Sequence, residues 1–189
     1  MTGPMQQEPA YVLHRRPWRE TSLMVDVFSL NAGRVTVIAR GGNSAKSPLK
    51  AQLQPFQPLL LDWTGRSDLK TLTQADVRSG PTLKRTLSLY SGLYVNELLQ
   101  RLLPMADPHH QLFAAYIDVI AELSEASDVE PVLRRFEQSL AAELGYDFVW
   151  DQAMDSGQPV EAGGLYCYDP EQGILAEPSP GSISTPPRA

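Results

Sequence analysis

Arg34, Arg40, Lys46 and Lys50 stand in a span, Val27 to Leu61, that contains no aspartate or glutamate. Cationic side chains without local carboxylates are suited to gripping anions, and their spacing along a chain suits a row of phosphates. The centre of the span, "RGGNSAKSPLK" from Arg40 to Lys50, opens on two glycines and reads as a flexible loop. Arg66 and Lys70 extend the same track. A phosphate loop of the G-x-x-x-x-G-K-[ST] type is excluded, because Arg40 and Ala45 occupy the two glycine positions before Lys46-Ser47. A solvated surface loop is the plain alternative. Proteins that hold single-stranded nucleic acid add aromatic planes for base stacking to such a groove. Trp18, Phe56 and Trp63 are the candidates, and each serves as readily in a small hydrophobic core.

Chemistry of other kinds has little to stand on. His14, His109 and His110 are the only histidines, and the adjacent pair follows Asp107-Pro108 at an expected helix start, where surface capping is the expected role. Cys167 is the single cysteine, with no base in its sequence context and no partner for an intramolecular disulfide. No acid and base pair is recognisable, so the expectation is a protein that is not an enzyme and needs no cofactor or metal.

The elements that position the cations are short strands. "AYVLHRR", "SLMVDVFSL", "RVTVIAR", "FQPLLLDWTG" and "DLKTLTQADV" read as five β segments between Ala10 and Val77, with turn residues at Asn31-Ala32-Gly33 and Thr64-Gly65-Arg66-Ser67. In the third, Val35, Val37 and Ala39 alternate with Arg34, Thr36, Ile38 and Arg40, which gives the hairpin one basic face. Five strands in so short a stretch suit a small closed barrel of the OB type better than a two-sheet sandwich.

After "SGPT" the period becomes helical. Leu83, Leu87, Tyr90, Tyr94, Leu98 and Leu102 form one stripe and Leu89, Leu93, Leu99 and Leu103 a second, predicting a central helix buried over a wide face, with Gly92 at a close contact. A second helix is expected from Pro108 to Glu125 on Leu112, Phe113, Tyr116, Ile117, Ile120 and Leu123. A third starts near Glu130-Pro131 on Val132, Phe136, Leu140 and Leu144, with Gly145 as its cap. The expected class is α+β: an OB barrel over 1–80, a helical domain over 81–177 that includes a ribbon-like segment at 147–177, and a disordered Pro/Ser-rich tail over 178–189.

Charge divides along the same line. The chain carries a formal −6, yet residues 1–85 hold 12 Lys+Arg against 6 Asp+Glu while the remainder holds 4 against 16. A basic front half points to an anionic partner, and the acidic back half leaves that region for protein contacts. No apolar run approaches the ~18 residues of a membrane span, and no signal peptide is recognisable, so a cytoplasmic location is expected.

In this order, "YVLHRRPWRETSLMVDVFS", "GRVTVIARGG", "LQPFQPLLL", "LYSGLYVNELLQRLL" and "LRRFEQSLAAELGY" resemble the bacterial recombination mediator RecO family, over residues 10–168. The resemblance implies an N-terminal OB-fold, a helical domain and, in many members, a zinc ribbon. It implies binding of single- and double-stranded DNA, annealing of complementary strands, and RecA loading with RecR in the nucleoid. It also implies binding of the acidic C-terminal tail of single-strand binding protein. For that tail, Arg134 and Arg135 beside Leu133 and Phe136 offer charge next to an apolar notch. The alternatives for the two arginines are helix bridges to Glu130 or Glu137. For the whole chain they are a protein-interaction adaptor or an RNA-binding OB module. The family usually continues with further helices and basic residues, whereas this chain runs into "SPGSISTPPRA".

The family's ribbon pattern falls on Ala153, Ser156, Gly157, Gly163, Gly164, Leu165, Cys167 and Pro170, so three of the four ligand positions lack a thiol. One thiolate cannot hold a tetrahedral structural zinc. Purified protein is therefore expected to carry no stoichiometric zinc by elemental analysis and to melt at the same temperature with and without chelator. One equivalent of tightly held zinc would overturn that ligand assignment.

Overall fold

A computed structural model describes residues 3–65, 67–146, 149–169 and 172–176. Five strands, β1 (Met5–Trp18), β2 (Ser22–Ser29), β3 (Gly33–Ala39), β4 (Leu59–Thr64) and β5 (Leu69–Val77), close into a barrel in the order β1-β2-β3-β5-β4. All pairings are antiparallel except β3 with β5, where Thr36 faces Leu69, Val37 faces Lys70 and Ile38 faces Thr71. The long β1 serves two neighbours, pairing with β4 from Met5 to Ala10 and with β2 from Ala10 to Trp18, and a bulge between Val12 and His14 gives it the necessary bend. Alternation sends Val25, Val27, Val35, Val37, Leu59, Leu61 and Trp63 inward, as the pattern of each strand requires. This is the expected OB barrel.

A single helical turn, α1 (Leu49–Gln52), bridges β3 and β4. Three longer helices follow: α2 (Thr86–Leu102), α3 (His110–Glu125) and α4 (Glu130–Glu143). The barrel and α2–α4 pack as one compact unit, and a second unit begins at Leu144. That second unit holds a short hairpin, β6 (Tyr166–Asp169) with β7 (Gly173–Ala176). A turn carrying buried Ala153 is tied to this hairpin by the Met154 amide donating to the Ile174 carbonyl at 2.7 Å. Cys167 is exposed. Pro170 and the expected disordered tail at 178–189 lie outside the described residues. Among the described residues no helix is long and apolar enough to cross a membrane.

α3 and α4 bury the residues their periodicity predicts, apart from Ile117, which is exposed, and Leu144, which lies past the end of α4 at Glu143 and is half-buried. α2 does not. Its buried face is Ser88, Ser91, Gly92, Val95, Asn96 and Leu99, while Leu87, Tyr90, Leu93 and Tyr94 of the predicted stripes are exposed. The physical reason is close approach. A Cβ on Gly92 would lie 2.7 Å from Leu83 and 2.9 Å from the Phe56 ring, so only a small-residue face lets α2 sit down on the barrel. Asn96 completes the choice. Its amide donates to the carbonyls of Val12 (3.2 Å) and Leu13 (3.0 Å) at the β1 bulge and accepts from the Tyr116 hydroxyl (2.8 Å). Tyr116, Tyr11, Phe28 and Phe113 surround that point as an aromatic cluster, with ring centroids 4.9 to 6.1 Å apart.

A second junction lies at the start of β3. The Ala106 amide donates to the Arg34 carbonyl at 2.8 Å, and a Cβ on Gly33 would fall 2.0 Å from the Asp107 carbonyl oxygen. His109 is mostly buried, with Nδ1 3.0 Å from a Glu143 carboxylate oxygen, and makes no side-chain cap bond, so it joins the start of α3 to the end of α4 instead of capping at the surface.

Replacing Asn96 with Leu keeps the volume but strands the Leu13 carbonyl and the Tyr116 hydroxyl in a dry site. We expect a loss of about 3 kcal/mol in denaturant unfolding, since each buried orphan costs about 1–3 kcal/mol. Adding Tyr116→Phe to that variant should recover roughly 1 kcal/mol by removing one orphan, whereas Tyr116→Phe alone should destabilise.

Candidate nucleic-acid interface at one end of the barrel

The parallel pairing of β3 with β5 brings the end of β3, the start of β5 and the β1–β2 turn to one end of the barrel. There Trp18, Arg19, Arg40, Gly41, Leu69 and Lys70 line a cleft of ≈ 380 Å³. Trp18 ends β1 and is half-buried, with part of its ring surface in the cleft. Arg19 follows at φ +55, a left-handed turn residue, and its side chain is exposed.

The segment after Arg40 is more ordered than a flexible loop. Gly41, at φ +70, starts a chain of tight turns in which the Gly42 amide donates to Ala39 (3.1 Å), Ser44 to Gly41 (3.1 Å) and Ser47 to Ser44 (3.0 Å). The Asn43 amide donates to the Thr21 carbonyl at 2.8 Å, which fastens these turns to the β1–β2 turn. Arg15 anchors the far end, donating from Nη1 to the carbonyls of Lys50 (2.7 Å) and Leu53 (3.0 Å) and from Nη2 to Gln54 Oε1 (3.0 Å). Arg40, Lys46 and Lys50 are therefore displayed on a braced scaffold, and all three are exposed. None of them, nor Arg19, has a carboxylate partner among the described residues. Glu20 and Asp68 are the acidic residues adjacent in sequence to the cleft-lining ones, and both are exposed.

The other expected phosphate contacts are placed differently. Arg34 is half-buried and donates from Nη1 to the Gln100 carbonyl at 2.6 Å, while Gln100 donates to Asp26 at 2.8 Å and Thr36 to the same carboxylate at 2.6 Å. Arg34 thus fastens the barrel to α2, away from the cleft. Lys70 lines the cleft but is only 2% exposed. Arg66 lies outside the described residues. Of the three aromatics, Trp63 is 1% exposed inside the barrel and Phe56 is buried under α2, which leaves Trp18 at the cleft. Arg19 is the residue that the acid-free span did not single out. Its signal was its position after Trp18 in a hairpin turn.

On α4, Phe136 is buried and Leu133 half-buried. The two arginines diverge: Arg134 pairs with Glu137, which also accepts from the Tyr94 hydroxyl at 2.8 Å, and Arg135 pairs with Glu122 of α3. Arg135 and Phe136 border a cleft of ≈ 150 Å³ whose other wall includes Asp118, Val119 and Glu122. Among the described residues no group of three or more His, Cys, Asp and Glu is placed to hold a metal.

Comparison with known proteins adds a finding of a different kind. A family model described as Recombination protein O N terminal matches residues 1–81, and one described as Recombination protein O C terminal matches residues 84–182. The DNA repair protein RecO of Marinobacter nauticus is 63% identical over 183 residues, covering 95% of this chain and 74% of the relative. Proteins of the same name from Nitrosospira multiformis and Haemophilus influenzae are 47% identical over 171 residues and 46% over 166, covering 90% and 88% of this chain and 71% and 70% of theirs.

If Arg19, Arg40, Lys46 and Lys50 each neutralise one phosphate, log K for a single-stranded oligonucleotide should fall with log salt at a slope of roughly −3, about −0.7 per contact. Changing Arg40, Lys46 and Lys50 together to Ala should flatten the slope to about −1. Arg34→Gln should leave the slope unaltered and lower the melting temperature instead. The opposite pattern would move the interface to the α2 side of the barrel.

Proposed function

The chain belongs to the RecO family, and from that premise we propose that it acts in DNA repair and homologous recombination by holding DNA strands at the barrel-end cleft. The observation that carries the reading is Arg19 and Arg40 beside half-buried Trp18 in the cleft, with Lys46 and Lys50 exposed on the braced turns that follow Arg40, none of the four having a carboxylate partner among the described residues. Cations on braced turns grip phosphates without having to be ordered first, and a tryptophan face accepts any base, so the grip is independent of sequence. Neutralising the phosphates of one strand lowers the repulsion that a complementary strand meets, which is the physical requirement for annealing. Both single- and double-stranded DNA present the phosphate row. The single strand gains in addition the stacking on Trp18.

In this reading the protein is a mediator and not a catalyst. It works in the cytoplasm at the nucleoid, with RecR, on strands coated by single-strand binding protein, and helps RecA onto them. The acidic helical half repels DNA and is left for protein contacts. The tail of single-strand binding protein is assigned to Leu133, Arg134, Arg135 and Phe136, where a carboxylate would take the place of Glu137 on Arg134. That exchange gives up an existing ion pair and lowers the net gain. In the expected ribbon-like segment at 147–177, the bond from the Met154 amide to the Ile174 carbonyl supports a turn and hairpin joined by the backbone itself.

An annealing assay with complementary oligonucleotides, bare and coated with single-strand binding protein, tests the proposal. The chain should accelerate both. Arg134→Ala should weaken tail binding about tenfold, because one charge-assisted contact is lost, and should slow annealing on coated strands only. Equal losses on bare and coated DNA would place Arg134 in the fold or in the DNA interface. Absence of annealing on bare strands, with steep salt-dependent DNA binding retained, would leave a DNA-binding module without mediator activity.

A further inference from the structure

The cations without carboxylate partners do not stop at Lys50. Arg78 and Lys84 are exposed, and neither has such a partner among the described residues. Arg78 lines a cavity of ≈ 290 Å³ together with Gln54, Gln57, Pro58, Pro81 and Leu83, and no residue lining it is acidic. Lys84 follows Leu83 directly, and Asp76, the acidic residue nearest to Arg78 in sequence, accepts from Gln74 at 2.8 Å. The cavity is set before anything binds. The Arg78 amide donates to the Pro58 carbonyl at 2.9 Å, which holds the exit of β5 against the entry to β4. A Cβ on Gly80 would fall 2.5 Å from the Pro58 ring, so the chain crosses that proline at a distance only glycine allows. Gln54 joins this cavity to the barrel-end interface. It lines the cavity, its Nε2 donates to the Lys50 carbonyl at 2.7 Å, and its Oε1 accepts at 3.0 Å from Arg15, which also holds the Lys50 carbonyl. Lys50 and the cavity therefore stand on one anchored segment.

We propose that this cavity is a second subsite for the same single nucleic-acid strand, entered after the strand leaves Lys46 and Lys50. Arg78 and Lys84 take two further phosphates, the rings of Pro58 and Pro81 with Leu83 offer an apolar face to a base or sugar, and the Gln57 amide meets a base edge. The inference rests on the reading of the braced turns as a phosphate grip and extends it. Charge and continuity select this occupant. Every cation on the path belongs to residues 1–85, which hold 12 Lys+Arg against 6 Asp+Glu, and the path ends where the acidic half begins. A short anionic peptide would use two of these cations, whereas a strand, whose charges recur along a line, uses the whole row from Arg19 to Lys84. The arrangement also bears on annealing. Between Trp18 at one end and the two prolines at the other, the segment from Gly41 to Gln54 offers charge and no aromatic side chain. Bases that cross it are held by their phosphates alone and stay open to a complementary strand.

The test uses the full chain and fluorescein-labelled single-stranded oligonucleotides of graded length, from about 4 to about 16 nucleotides, the span that one such barrel covers, with anisotropy read across a salt series. The slope of log K against log salt should steepen with length to roughly −4, from six contacts at about −0.7 each. Arg78→Gln combined with Lys84→Gln changes exposed side chains only. It should leave short oligonucleotides unaffected and hold the longest at a slope of roughly −3. Gln57→Glu sets a carboxylate in the cavity and should weaken the longest oligonucleotides about tenfold while the short ones stay within about twofold. Equal slopes in the double variant and the parent at every length, or full affinity of folded Gln57→Glu for the longest strands, would overturn the subsite. The grip on the braced turns is read separately, by the slope of short oligonucleotides when Arg40, Lys46 and Lys50 are changed to Ala, so its failure is not mistaken for failure of this subsite.

Discussion

The side-chain amide of Asn96 is the point on which the packing of barrel against helices turns. A bulge in β1 drops Leu13 from the β1–β2 register next to Val12, and buried carbonyls at such a point must find a donor. Asn96 supplies two N–H groups to them and an oxygen to Tyr116, so a single side chain satisfies the bulge and an otherwise costly buried hydroxyl. Burial pushes the Tyr116 hydroxyl far above its ordinary pKa and keeps it a neutral donor. The bulge in turn lets β1 bend from β4 to β2 and close the barrel. Closure of the sheet and seating of α2 are thereby the same event.

From that constraint the rest of α2 follows. If Asn96 must face the barrel, its helical neighbours Ser88, Gly92, Val95 and Leu99 face it too, and the leucines and tyrosines on other azimuths are turned outward. Their exposure is not a lapse in packing. It is the cost of meeting two carbonyls with one amide, and it leaves Leu89, Tyr90 and Leu93 as an apolar surface on α2. A second polar network, Arg34 to Gln100 to Asp26, holds the other end of α2 to β2 and β3 and prevents the helix from rolling its leucines inward.

Strands and helices were legible in the sequence because each repeats a period, whereas Trp63, a candidate for either base stacking or core, is resolved only by the closed barrel, where it lies inside with Leu59 and Leu61. The azimuth of α2 was not. A leucine stripe is the stronger local signal, and the competing one, a glycine, two serines and an asparagine, has meaning only against a bulge over eighty residues earlier. The same limit separates the cations. Arg34 and Arg40 share one strand pattern, but the partner of Arg34 is the Gln100 carbonyl, 66 residues away. Lys70 looks solvent-bound until β5 lies parallel to β3 and covers it. Arg19 entered the cleft through a turn, where no periodicity operates.

Sorting the basic residues by what they touch argues for the division of labour more directly than net charge does. Arg15, Arg34 and Arg85 donate to backbone carbonyls and hold elements together. Arg101, Arg134 and Arg135, all in the acidic half, are each matched with a glutamate. Arg19, Arg40, Lys46, Lys50, Arg78 and Lys84 have neither kind of partner among the described residues, and all six belong to the basic half. Lone cations gain nothing for folding and repel one another, and where Arg19 and Arg40 meet at the barrel-end cleft an external anion would offset that cost. In the cleft an aromatic plane stands beside the charge, which is the arrangement that the proposed grip on a base and its phosphate requires, so Trp18 and the lone cations argue for the same class of ligand.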